Sequence, residues 1–324
     1  MPDRSKLDNF SHEELLEEAR ARHAGSRSVE KAAPTTPHSA ALKEFTTAEI
    51  VNTLLDKQKS IYGVDDRQDL YEVTIPRVLV DADSVVSLFK DRDVTDNHDG
   101  TSTLSVRQLG TEYNLCKDEA FREQPVGAFC TGFLVAPDLI ATAGHCARTD
   151  AAAKRTRFVF GYRMKDATTA QLQIANSEIY SGVALVGRQE TDQGPDWALV
   201  KLDRPVPNHA PLTIRRDGKI AGNQPVHIIG HPVGLPAKYA AGAQVRDNSS
   251  AAYFVANLDS FGGNSGSPVF NAETHFVEGV LVRGDTDFVP HGQCSVALVC
   301  PTGGCRGEDC TRTTEFAHLV PSPK

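Results

Sequence analysis

The chain has 324 residues, 40% of them hydrophobic, and a formal net charge of -8. That length buries one large core or two smaller ones, and the mixed composition excludes collagen, coiled coil and wholesale disorder. The negative balance, with basic residues scattered rather than gathered in a stripe, excludes a phosphate-backbone binder, so no nucleic-acid partner is expected.

No apolar run approaches the ~20 residues of a membrane-spanning helix, and no membrane association is expected. The opening "MPDRSKLDNFSHEELLEEARARH" has no apolar h-region that would serve as a secretory signal. Seven cysteines nevertheless point to an oxidising compartment. The expectation is a secreted or periplasmic protein, with a cytoplasmic one as the alternative.

In chain order, residues 1–60 differ from the rest. Ser11 followed by Glu14 in "SHEELLEEARAR" is a capping-box pattern opening a short charged helix. A second box, Thr46 to Glu49, opens a helix with Ile50, Val51, Leu54 and Leu55 on one face. Between them "AGSRSVEKAAPTTPHSAA" reads as a linker. Residues 1–60 are therefore expected to form a helical appendage or propeptide, and 61–324 the main domain.

From about residue 61 the texture becomes short β-type runs: "SVVSLF", "GFLVAP", "RFVFGY", "GVALVG", "WALVKL", "VHIIGH", "AYFVANL" and "FVEGVLV". Short strands broken by Gly, Pro and Asp predict an all-β barrel or sandwich. Residues 262–270, "GGNSGSPVF", are compatible with plain turn chemistry. Ser265 becomes a candidate nucleophile only if a histidine takes its proton, a buried carboxylate orients that histidine, and backbone amides receive an oxyanion. His145 in "LIATAGHC" and Asp196 in "GPDWALVKL" supply the first two, and the N–H groups of Gly263 and Ser265 the third.

"TAGHC", "DWALVKL" and "GGNSGSPV", in the order His, Asp, Ser, resemble the chymotrypsin-fold serine proteases over roughly residues 61–290. "GNSGSPVF" and "DDRQDL" are more similar to the bacterial glutamyl-endopeptidase branch than to the animal trypsins. The resemblance implies two six-stranded antiparallel barrels of chymotrypsin type behind a short helical N-terminal segment. It implies His145 as general base and acid, Asp196 as its orienter and Ser265 as nucleophile acting on a protein or peptide substrate. No cofactor and no metal are implied. The alternative is a catalytically silent or latent protease-like binding domain, and a weaker one an esterase with the same three groups.

By the same resemblance Cys130 and Cys146 close the histidine loop with a disulfide; two buried thiols are the alternative. Asp259, six positions before Ser265, falls at the floor of the specificity pocket. There it either receives Arg or Lys or is neutralised internally by Arg283. Asn264 stands where the animal enzymes carry the aspartate that pairs with a freshly cut N-terminus, so that switch is not expected. Cleavage after Lys57 or Lys59 would remove the appendage.

Cys294, Cys300, Cys305 and Cys310 are spaced for disulfides rather than for zinc, and with Cys116 one thiol is left over or pairs between chains. Their connectivity is open. His231, between Gly230 and Pro232, reads as a rigid connection rather than a second base. The remaining histidines form no i, i+4 pair of a helical metal site.

Overall fold

Runs rich in Val, Ile, Phe and Ala form strands whose two faces are both covered, and the covered strands close on themselves. The computed structural model describes residues 45–46, 61–63, 65–191, 194–283, 287–301 and 305–322. The chain divides into two compact units, Met1–Gln58 and Lys59–Lys324. The two helices expected within residues 1–60 lie outside the described residues.

Two short strands, β1 (Ile61–Tyr62) and β2 (Arg67–Asp69), lead into helix α1 (Pro76–Ala82). Pro76 takes the first turn, where its missing N–H costs nothing, and Val78 and Ala82 are buried. The first barrel uses β3 (Val85–Lys90), β4 (Cys130–Ala136), β5 (Leu139–Thr142), β6 (Thr156–Val159), β7 (Ile179–Glu190) and β8 (Asp196–Leu202). Their order is β6-β7-β8-β5-β4-β3, closed by antiparallel pairing of β3 with β6.

The second barrel uses β9 (Pro225–Gly230), β10 (Lys238–Asp247), β11 (Tyr253–Ala256), β12 (Pro268–Asn271) and β13 (Val277–Arg283). A two-residue strand, β14 (Val299–Cys300), pairs with β1, and β15 (Glu308–Arg312) completes the barrel. The order is β9-β12-β13-β15-β11-β10, closed by β9 on β10, with β2 added at the outer side of β10. Two closed six-stranded antiparallel barrels are the chymotrypsin arrangement expected from the sequence.

Phe133, Ile140, Phe158 and Leu199 fill the first barrel, and Ile228, Val245, Phe254 and Leu281 the second. Burying each such side chain contributes about 1.5–3 kcal/mol. A polar clasp holds β2 in place. Buried Lys238 pairs with Asp69 and donates to Gln124 Oε1 at 2.7 Å, while Gln124 Nε2 donates to Asp69 Oδ2 at 2.7 Å. Because every member is bonded, removing one strands the others, at a cost of about 3–5 kcal/mol.

Three disulfides join Cys116 to Cys294, Cys130 to Cys146 and Cys300 to Cys305. The histidine-loop bridge is present, and the leftover cysteine is Cys310, buried in β15. Among the described residues no helix is long and apolar enough to cross a membrane.

Candidate active site

β5 and β8 pair antiparallel with Thr142 opposite Ala198, so Asp196 at the start of β8 comes level with Gly144 beyond the end of β5. The Asp196 carboxylate is only 4% exposed, and both of its oxygens are used. Oδ1 accepts the N–H groups of Gly144 at 2.5 Å and His145 at 3.2 Å, and Oδ2 lies 2.7 Å from His145 Nδ1. An ionised carboxylate only accepts, so Nδ1 carries the proton and Nε2 is left as the basic nitrogen.

Burial by itself raises the Asp196 carboxyl. The hydrogen bond and charge of His145, with the two backbone N–H groups, outweigh burial and hold it below its ordinary value. Gly144 is needed for this approach: a Cβ there would lie 2.2 Å from Gln189 O and 2.8 Å from Asp196 Oδ1.

Ser265 occupies the turn before β12. Its carbonyl accepts the Thr131 N–H at 2.9 Å and lies 3.7 Å from Cys146 Sγ. Thr131 follows Cys130 and Cys146 follows His145, so the Cys130–Cys146 bridge ties the strand under Ser265 to the histidine loop. His145 and Asp196 thus meet directly, and the backbone of Ser265 is tied to the histidine loop through Thr131 and Cys146.

The turn around Ser265 leaves two donors unspent. Asn264, Gly266 and Ser267 donate their N–H groups to Phe261 O at 3.1 Å, Leu281 O at 2.7 Å and Asn264 O at 2.8 Å. Among the described residues, the N–H groups of Gly263 and Ser265 donate to no protein acceptor. Gly263 has φ +77°, and a Cβ there would lie 2.7 Å from His231 O. Thr131 Oγ1 fixes the Gly263 carbonyl at 2.9 Å. Gly263 is thereby held against the turn that follows His231.

Residues 130–280 match the model of the trypsin-like peptidase domain, a span that contains His145, Asp196 and Ser265. The chain carries a trypsin-like serine peptidase domain. It is a serine endopeptidase of chymotrypsin fold. The peptidase is similar to a Glu endopeptidase solved in complex with MPD, at 19% identity and TM-score 0.46, over 80% of this chain and 97% of that one. It is also similar to the VesB protease of Vibrio cholerae, at 14% identity and TM-score 0.43, over 74% of this chain and 63% of that one. No curated protein sequence matches.

Three features of the peptidase were not legible in its motifs. Thr131 bonds Gly263, Ser265 and, through its hydroxyl, the His231 N–H at 3.0 Å, from a strand that reads as plain core. His231 is buried, donates from Nδ1 to Leu235 O at 3.0 Å, and burial pushes it down to about 4. It is a neutral support for the turn packed on Gly263, in keeping with its reading as no second base. Asn264 is also buried, with Nδ2 3.3 Å from Ser260 Oγ and Oδ1 accepting from Ser267 Oγ at 3.3 Å.

Asp259 is where the sequence reading needs correction. Its internal partner is not Arg283, whose Nε donates to Asp309 Oδ2 at 3.0 Å. Asp259 Oδ1 accepts the Tyr62 N–H at 2.6 Å and Oδ2 the Asp66 N–H at 3.1 Å, so the carboxylate anchors the segment that begins the domain. This partnership joins residues 197 apart in sequence and has no local signature.

The Asp66 carboxyl lies within the field of the Asp259 carboxylate. Burial, then the Asp259 charge, pushes Asp66 up to about 8, and burial also raises Asp259. Because the folded chain holds this proton more tightly than the unfolded one, the contribution is complete below the ordinary carboxylate range and drains away as pH rises towards about 8. The melting temperature of the wild type should fall between about pH 4 and about pH 8. Asp66→Asn, which keeps a donor without a titrating proton, should flatten that fall; an unchanged slope in thermal denaturation would show that the pair does not carry it.

Proposed function

We propose that the peptidase cleaves peptide bonds through His145, Asp196 and Ser265 by way of an acyl-enzyme. Ser265 Oγ attacks the scissile carbonyl while His145 Nε2 takes its proton, and Asp196 stabilises the imidazolium so formed. The oxyanion rests on the N–H groups of Gly263 and Ser265. His145 then protonates the leaving amine, and water, deprotonated by the same nitrogen, releases the acyl group.

The observation that carries this reading is the saturated Asp196 carboxylate. With Oδ1 taken by two backbone N–H groups and Oδ2 facing Nδ1 at 2.7 Å, the ring is held in one tautomer. The unspent N–H groups flanking Asn264 supply what an acceptor-rich transition state needs.

A preference for cutting after Arg or Lys has little behind it, because the Asp259 oxygens are bonded to Tyr62 and Asp66. We assign Asp259 to anchoring the 61–66 segment instead. Three disulfides fit a secreted or periplasmic enzyme. Residues 1–60 are then a propeptide removed on activation.

Cleavage of a diverse peptide library by the full chain, beside Ser265→Ala, tests the proposal by mass spectrometry. Cuts that vanish in the variant support it. In Asp259→Asn the residue preference should stay and the melting temperature fall. The same spectra report whether the enzyme's own chain is cut after Lys57 or Lys59. Cuts that persist in Ser265→Ala, or none from either protein, overturn the mechanism.

A further inference from the structure

Away from the triad, three side chains from distant parts of the chain converge on one buried point. Asp81 projects from α1, His227 from β9, and His275 from the turn between β12 and β13. Asp81 and His227 are 1% and 3% exposed. His275 Nδ1 lies 2.6 Å from Asp81 Oδ2. One potential donor atom from each of the three lies within 4.8 Å of the others.

His227 makes the cluster more than an ion pair. Its ring is stacked on Phe270, with centroids 4.9 Å apart, and packed edge-on to Tyr239 at 5.4 Å. Nε2 is nevertheless buried with no hydrogen-bond partner. Leaving a ring nitrogen dry and unbonded costs about 1–3 kcal/mol, and an aromatic slot of this kind would accept phenylalanine without that penalty. The histidine is explained if the nitrogen has a partner that is a cation.

We propose that Asp81, His227 and His275 form a zinc-binding site separate from the catalytic centre. Two imidazoles and one carboxylate are the borderline donors that Zn²⁺ takes, with water in the fourth position. On binding, the His275 proton moves through solvent from Nδ1 to Nε2, which frees the Nδ1 lone pair for the metal, while Asp81 Oδ2 exchanges the His275 bond for the same ion. Arg77 Nε, 3.1 Å from Asp81 Oδ1, holds the carboxylate from outside. A surface cleft of about 270 Å³, lined by His227, His275, Val78, Pro225, Tyr239 and Ala272, gives the ion and its water an entry path.

The site would staple α1, which precedes the first barrel, to one strand and one turn of the second. Zinc then adds to the stability of the domain without touching His145. The chelator-stripped full chain should bind one Zn²⁺ by calorimetry, and its melting temperature should rise by about 5 °C at a hundredfold excess over Kd. Co²⁺ in its place should give the visible absorption of a four-coordinate site.

Two variants keep the test independent of folding. His227→Phe fills the aromatic slot, and its metal-free protein should melt no lower than wild type while losing the zinc response. His275→Asn suits the φ of +58° at that position; it should lose zinc affinity at least tenfold and cleave peptides as wild type does. Absence of zinc binding by the wild type, or binding unchanged in both variants, overturns the proposal.

Discussion

Ser265→Ala and His145→Ala should each lower kcat by about 10⁶-fold, and the double variant should be no slower than either single one. In the proposed mechanism nucleophile and base act as one unit: without the imidazole the hydroxyl keeps its proton, and without the hydroxyl the imidazole has nothing to activate. Independent contributions would multiply instead, and a double variant slower by a further large factor would show that the two do not work together. The residual rate in all three measures what Gly263 and Ser265 N–H groups and substrate positioning supply alone. Both side chains are peripheral to the barrel cores, so melting temperatures should move little.

Asp196→Asn should lower kcat/KM by about 10⁴-fold with the fold intact. The direction follows from the two sides of this carboxylate. Oδ1 accepts the N–H groups of Gly144 and His145, so the amide oxygen of an asparagine must take that place. Its NH₂ group then faces Nδ1, which has to accept, and the ring proton moves to Nε2, where it can no longer receive one from Ser265. Asp196→Ala should be worse for stability, because it leaves two buried backbone donors unbonded. Imidazole nitrogen chemical shifts would report the tautomer directly; an Asp196→Asn protein with Nδ1 of His145 still protonated would contradict the account.

The parts of this enzyme legible in its sequence are those whose causes are local. The eight apolar runs from "SVVSLF" to "FVEGVLV" all contain strands, because β-branched and aromatic residues bounded by turn formers have few other stable states. His145, Asp196 and Ser265 stood out because each sits in a stretch with its own glycine or disulfide support. β15 was invisible: "EDCTR" is polar, yet all five residues are buried. Its charges are met from elsewhere, Asp309 by Arg283 and Arg306, and Arg312 by Asn248 and Ser250.

Asp259 was misread for the same reason. The residues that occupy its oxygens lie near the start of the domain, and no spacing rule connects them. The joining of Cys116 to Cys294, 178 residues apart, likewise has no local signature. Asp81, His227 and His275 are scattered in sequence and form a cluster only once α1 packs on that barrel.

The central claim is that Ser265 is made nucleophilic by His145. Intact-protein and peptide mass spectrometry after exposure to a fluorophosphonate probe tests it most directly. One adduct on Ser265 in the folded wild type, lost in His145→Ala at equal fold content, is the expected result. A folded wild type that takes no adduct, or one that is labelled equally without His145, would contradict it.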